Sequence, residues 1–185
     1  MTRRPVTTDL DGVLNHYPQC WVDYINLESR SEFATKAEAL QALGKTRYAD
    51  LKDRYRRSSF KATLPPRKEA VELLRQLDAA GHRIVVTTTR PFLRYPGLFE
   101  MTAAWLRNNG IPHASLERKE PKVFDRLSGL LFHIEDDPED ALAIASLGHK
   151  VFLVADAPLP KADPAVSSRI IRGGFSDIEE FARHA

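Results

Sequence analysis

Apolar positions along the chain fall into two rhythms. Short β-branched or aliphatic runs begin at Pro5 and recur at Arg83 to Thr87, Ala114 to Leu116, Leu130 to Ile134 and Val151 to Val154, each of strand length and bounded by polar or turn residues. Between them the spacing turns helical. Val71, Leu74, Leu77 and Ala80 lie on one face, with Gly81 where a helix C-cap belongs. Further helices are predicted over Phe99 to Asn109 before Gly110, around Pro121 to Leu127, and over Asp140 to Leu147 before Gly148. Strands alternating with helices predict an α/β fold, a doubly wound parallel sheet covered on both faces, whose ligands bind beyond the carboxyl ends of the strands.

The stretch from Asn15 to Pro66 breaks this rhythm. Asn15 to Cys20 reads as a loop, and Trp21 to Leu27 as a strand or a short helix. A helix is predicted over Ser31 to Leu43, starting at Ser31 or Thr35 and ending at Gly44, then a second from about Thr46 to Arg57. Leu64-Pro65-Pro66 ends the segment. The expected organisation is therefore a core of residues 1–14 and 67–185 with a small helical insertion, 15–66, after the first strand. Late in the chain, Ala157 to Pro164 reads as a proline-rich surface loop.

Composition narrows the class. With 185 residues, 43% hydrophobic and 28% charged, the chain can bury a sizeable core. A net charge of +2 does not argue for nucleic acid, although Arg47 to Lys61 is locally basic. The single cysteine, Cys20, excludes an internal disulfide. Without an apolar leader or a long apolar run, the expected location is cytoplasmic, with no membrane partner.

The candidate chemistry begins at Pro5 to Leu14, where the first strand runs into Asp9-Leu10-Asp11-Gly12-Val13. Side chains two apart on a strand point the same way, and Gly12 lets the chain turn just beyond them, so Asp9 and Asp11 can share one pocket. Such a pair suits a hard cation such as Mg²⁺, and equally a division of labour between a nucleophile and a proton carrier. Aspartate and glycine are also ordinary turn formers.

These residues resemble the first motif of the haloacid dehalogenase-like phosphatases, Asp-x-Asp-Gly-(Thr or Val) after an apolar strand. The resemblance implies that Asp9 attacks phosphorus to form an aspartyl-phosphate, and that Asp11 protonates the leaving oxygen and later activates water. It extends along the chain in family order. Thr88, in Thr88-Thr89-Arg90-Pro91, stands at the second motif; its neighbours Thr89 and Arg90 offer a hydroxyl and a cation for substrate. In Glu117 to Lys122 the resemblance calls for a cation, taken as Lys119 with Lys122 and Arg118 as alternatives. The acids after Ile134 supply the fourth motif as Glu135 and Asp136, or as Asp136 and Asp137 in another register. Three adjacent carboxylates repel unless a cation relieves them, and the same acids would also favour a helix N-terminus.

The implied metal ligands are thus Asp9, Asp11, Glu135 and Asp136, with Mg²⁺ as cofactor. The insertion corresponds to a cap that selects substrate, with Arg57, Ser58 and Lys61 as candidate contacts. Within the family the compact cap and the Thr-x-Arg-Pro form are most similar to the 5'(3')-deoxyribonucleotidase-like members, so a nucleoside monophosphate is the expected substrate. Two rivals remain: a phosphatase for polynucleotide ends, suggested by the basic cap, and a binding module that keeps the fold without turnover.

Overall fold

The computed structural model describes residues 4–155 and 157–183. The β-branched run forms β1 (Pro5–Asp9), and β2 (Arg83–Thr88) lies parallel beside it with Pro5 opposite Arg83 and Asp9 opposite Thr87. On the other side of β1 is β4 (His133–Glu135), Thr7 opposite His133. With β3 (Ser115–Arg118), β5 (Val151–Leu153) and β6 (Ile170–Arg172), the order is β3-β2-β1-β4-β5-β6, every pairing parallel. The chain winds outward from β1 in one direction and then returns to wind outward in the other. The switch point therefore sits at the carboxyl end of β1.

Alternation along the strands shows why both faces must be covered. Ile84 and Val86 pack on one side with Val71, Leu74, Trp105, Leu106 and Ile178, while Val85 between them packs on the other with Val123 and Leu127. Likewise Phe152 joins the first face, whereas Val151 and Leu153 meet Phe124, Ala141 and Ile144. The covering helices are α3 (Lys68–Ala79), α4 (Leu98–Asn108) and α8 (Phe175–Arg183) on one face, and α5 (Pro121–Asp125) and α6 (Pro138–Ser146) on the other. A short α7 (Pro164–Ser167) precedes β6. Among the described residues no helix is long and apolar enough to cross a membrane.

The insertion has its own core. Trp21–Leu27 belongs to a helix, α1 (Gln19–Ser29). The two helices expected around Gly44 run as α2 (Lys36–Arg57), capped by Thr35, with a non-helical kink at Gly44 (φ 72°, ψ 161°). Trp21, Tyr24, Ile25, Leu51 and Tyr55 are buried together, and the Trp21 indole N–H donates to Tyr48 Oη at 2.7 Å. A 3₁₀ turn, Ser59–Thr63, leads back to the sheet. The way in and the way out meet as a bridge between Asn15 and Pro66, and Trp105 of α4 pins the exit by donating to the Leu64 carbonyl at 2.8 Å.

Several boundaries shift for local reasons. The helix expected from Asp140 starts at Pro138, because Asp137 caps it by accepting from the amides of Glu139 and Asp140. The strand expected over Leu130 to Ile134 is His133–Glu135, so the first acid of the acidic run belongs to the strand itself. Beyond the Ala157–Pro164 loop, β6 and α8 complete the sheet and its cover, two elements that the strand and helix pattern did not predict.

Candidate active site

Four strands, β1 to β4, end at one cleft of about 180 Å³, β2 running into Thr89 and Arg90. Asp9 closes β1, Glu135 closes β4, and Lys119 follows β3 directly, tied to the sheet by its amide, which donates to the Thr88 carbonyl at 2.9 Å. Lys119 Nζ lies 2.8 Å from Asp9 Oδ1, 2.8 Å from Glu135 Oε2 and 2.7 Å from Asp140 Oδ2. Burial pulls its ammonium down, but Asp9 and Glu135 more than offset this and hold it charged. The alternatives lie elsewhere: Arg118 and Lys122 both pair with Glu120 and are largely exposed.

Glu135 is fully buried and fully engaged. Oε2 accepts from Lys119 and from His133 Nε2 at 3.0 Å, and Oε1 accepts from the amides of Asp136 and Asp137 at 3.1 and 3.2 Å. Burial raises its carboxyl, yet His133 and Lys119 outweigh it and bring the pKa down to about 2. Burial holds His133 below its ordinary value. A neutral ring satisfies the network, Nε2–H donating to Glu135 and Nδ1 accepting from Thr7 Oγ1 at 2.8 Å. Asp9 is raised well above its ordinary value by burial and then by Glu135, against the pull of Lys119. Asp136 is pushed up to about 7 by the same two causes.

Carboxylate oxygens of Asp9, Glu135 and Asp136 lie within 4.8 Å of one another. Four hydrogen bonds already occupy Glu135, whereas the Asp136 carboxylate accepts from its own backbone amide and, among the described residues, from no other residue. Gly12 makes room for it: φ is +98°, and a methyl group added there would overlap the Asp136 carboxylate. Three clustered carboxylates, of which Lys119 touches Asp9 and Glu135, offer hard oxygen donors that fit a small divalent ion, with Asp9 and Asp136 as the carboxylates that retain capacity and Glu135 as their neighbour.

Asp11, expected among the metal ligands, stands apart from this group. Its Oδ1 and Oδ2 accept from Arg90 at 2.6 and 2.8 Å, and Oδ1 also accepts from Asn15 at 2.8 Å. Burial raises the Asp11 carboxyl, but Arg90 and then Lys61, 3.9 Å away, prevail and hold it well below the usual range. Arg90, expected as a substrate contact, is itself committed to Asp11 and to Thr102 Oγ1 at 2.9 Å. Thr88 is buried, its hydroxyl accepting from the Arg90 amide at 3.2 Å, and Thr89 lines the cleft.

On the cap side the structure reassigns the expected contacts. Lys61 faces the cleft and is only 5% exposed. Arg57 does not line the cleft: it is exposed and paired with Asp53 at 2.7 Å. Nor does Ser58, whose hydroxyl donates to the Tyr55 carbonyl at the end of α2. The adjacent turn of α2 presents Lys52 and Arg56 instead, beside Tyr17 and Tyr55. Helical spacing around Tyr55 carries that signal, since Lys52 and Arg56 are four apart and share a face. Asp140 was not legible as a site residue, because it meets Lys119 only through the fold, whereas Asn15 and His133 stand four and two residues from Asp11 and Glu135, and that local spacing is the signal that could have found them.

No protein-family model and no curated protein matches the chain in sequence. Solved structures do match in shape over nearly its whole length. A haloacid dehalogenase-like family hydrolase from Streptococcus pneumoniae is 14% identical over 98% of this chain and 99% of that one, with a TM-score of 0.63. An L-2-haloacid dehalogenase is 16% identical over 99% and 100%, TM-score 0.62. A haloacid dehalogenase (HAD) family hydrolase from Deinococcus radiodurans, solved with bound phosphate and sodium, is 18% identical over 94% and 92%, TM-score 0.59. At such identities the likeness establishes the fold: this chain has the α/β fold of the haloacid dehalogenase-like hydrolases.

Proposed function

We infer that the protein is a Mg²⁺-dependent phosphomonoesterase working through an aspartyl-phosphate. The observation that supports this reading is the Asp9 carboxylate at the switch point of the sheet, held by Lys119 and facing Asp136 across a cation-sized gap. Asp9 attacks phosphorus; the new bond forms on its carboxylate oxygen as the ester bond breaks, and the leaving oxygen takes a proton from Asp11. Water then attacks the phosphorus of the intermediate, the bond from Asp9 to phosphorus breaks to release phosphate and restore the carboxylate, and Asp11 receives the proton of the water. As placed, Asp11 is ionised, ready for this second step, so the first requires Arg90 to release it to be protonated. Lys119 stays charged beside the nucleophile and balances the phosphoryl group. A divalent ion held by Asp9 and Asp136 would supply further charge neutralisation and, with Lys119, would favour the ionised, nucleophilic form of Asp9 that burial and Glu135 oppose.

Halide displacement, the chemistry named for one of the matching structures, is less well supported. A halide leaves without a proton, so Asp11 would be idle, and nothing in the reaction would call for the Asp9–Asp136 pair to hold a cation. A nucleoside monophosphate remains the substrate that the resemblance points to. The cap offers it little stacking surface, because Lys52 Nζ sits 4.8 Å from the Tyr17 ring centre and Lys61 Nζ 4.7 Å from that of Tyr55. The polynucleotide-end phosphatase and the binding module have no specific observation in their favour.

The test is phosphate and halide release from a panel of phosphate esters, nucleotides, oligonucleotide ends and 2-haloacids, with Mg²⁺ and with chelator. Phosphate release that needs Mg²⁺ and vanishes in Asp9→Asn is expected. Wild-type turnover by folded Asp9→Asn would overturn the covalent mechanism.

A further inference from the structure

The wall of the cleft facing the carboxylates is cationic, and among the described residues two of its charges, Lys52 and Arg56, lack counterions. Lys52 donates to Tyr17 Oη at 3.3 Å, and its ammonium lies 4.4 Å from the Trp21 ring centre and 5.5 Å from that of Tyr55. Arg56 reaches Tyr95 Oη at 3.4 Å and stacks on that ring. Among the described residues neither has a carboxylate within ion-pair distance. The acid of the same turn, Asp53, is taken up on the outer side by Arg57 at 2.7 Å and Tyr95 Oη at 2.8 Å. Lys61, nearly buried, has only Asp11 at 3.9 Å, and that carboxylate is already held by Arg90 on both oxygens.

Gathering like charges costs free energy unless an anion joins them. Burial and then the charges of Lys61 and Arg56 bring Lys52 down to about 7, which registers that cost. Aromatic rings fix the ammonium in place, so an incoming anion would meet a donor that has little side-chain freedom left to lose. The cleft, about 180 Å³, is small enough that one short molecule would touch both walls.

We propose that Lys52 and Arg56, with Lys61, form a second anion subsite that takes a carboxylate or phosphate group at the far end of the substrate. The substrate class is then a small phosphate ester carrying a second negative group, rather than one with a neutral tail. Naming it a phosphate ester rests on the phosphomonoesterase reading; the subsite itself rests on the cap cations.

Two measurements separate these. The first is kcat/KM with Mg²⁺ for propyl phosphate, 2-carboxyethyl phosphate and propane-1,3-diyl bisphosphate. The second is calorimetric binding of propylphosphonate and propane-1,3-bisphosphonate, which needs no turnover. At least one doubly charged ester should exceed propyl phosphate by about tenfold or more, and the bisphosphonate should bind tighter by a similar factor, the size expected for one charge-assisted contact. In Lys52→Met with Arg56→Gln both ratios should fall to within about twofold of unity, the methionine keeping the packing against Trp21. If those ratios are near unity in the wild type, or survive in the variant, the subsite is overturned. Discrimination among phosphonates with no ester turned over would instead leave the subsite standing and sink the phosphomonoesterase reading. Between the two tail chemistries, a larger gain for the carboxylate or for the phosphate identifies which one the subsite takes.

Discussion

Replacing Lys119 by methionine keeps the length of the side chain and removes the one cation that touches Asp9 and Glu135. Asp9 is 4% exposed and Glu135 is not exposed at all, so neither can recruit bulk water in exchange. Glu135 stands at about 2 against an ordinary 4.5, a gap worth about 3 kcal/mol at ~1.4 kcal/mol per pH unit, shared between Lys119 and His133. Asp9 would lose the ion pair that opposes its burial. Breaking a buried pair from one side costs ~3–5 kcal/mol, so a loss of about 3 kcal/mol at neutral pH is expected. The pH dependence has a definite sign. Lys119 is raised in the folded state, so its contribution is complete below the unfolded value of ~10.4 and constant across the working range. Glu135 is depressed, so its contribution is present above 4.5 and disappears as pH falls through about 2. In the variant, Glu135 rises and takes up its proton in mild acid, and Asp9, already raised, holds its proton more tightly still. The deficit should therefore be largest near neutrality and shrink toward ~pH 5. Urea denaturation of both proteins in chelator at about pH 5 and about pH 7.5 measures it. A deficit below ~1 kcal/mol, or one that grows toward acid, would refute the claim that Lys119 neutralises this pair.

Three further outcomes are expected. Gly12→Ala should cost ~1–3 kcal/mol, from a positive φ of +98° and from displacing Asp136, and should raise the Mg²⁺ concentration for half-maximal activity; an unchanged melt and titration would deny the contact. Asp136→Ala should also raise the Mg²⁺ requirement, yet in chelator above about pH 7 it should be more stable than the wild type. The reason is that a carboxyl raised to about 7 loses stability as pH climbs from 3.8 to that value, so equal melts would deny the burial cost. Lys61→Ala should lower kcat/KM about tenfold or more, while the exposed Arg57→Ala changes it less than about twofold; the reverse order would restore Arg57 to the cleft.

The alternation of short apolar runs with 3.6-residue spacing determined the sheet from β1 to β5 and the helices between those strands, though not β6 and α8, since a strand buried on both faces and a helix buried on one leave different marks in sequence. The same local logic placed Asp9 and Asp11 together at a strand end, made Gly12 the turn, and predicted a helical insertion over Asn15 to Pro66. Tertiary structure decided what the charges do. Asp9 and Asp11 point into one cleft, yet burial and Glu135 raise the first against the pull of Lys119, while Arg90 from beyond β2 holds the second down, so their proton affinities part in opposite directions. Nothing in the run Glu135-Asp136-Asp137 shows that its three acids become a saturated strut, an uncommitted carboxylate and a helix cap. On α2, Arg57 and Arg56 are adjacent and chemically alike, and only the packing of Tyr55 against Trp21 turns one toward the cleft and the other toward Asp53. Charge is a local property of sequence, but its partner, its burial and hence its pKa belong to chain segments brought together only by folding.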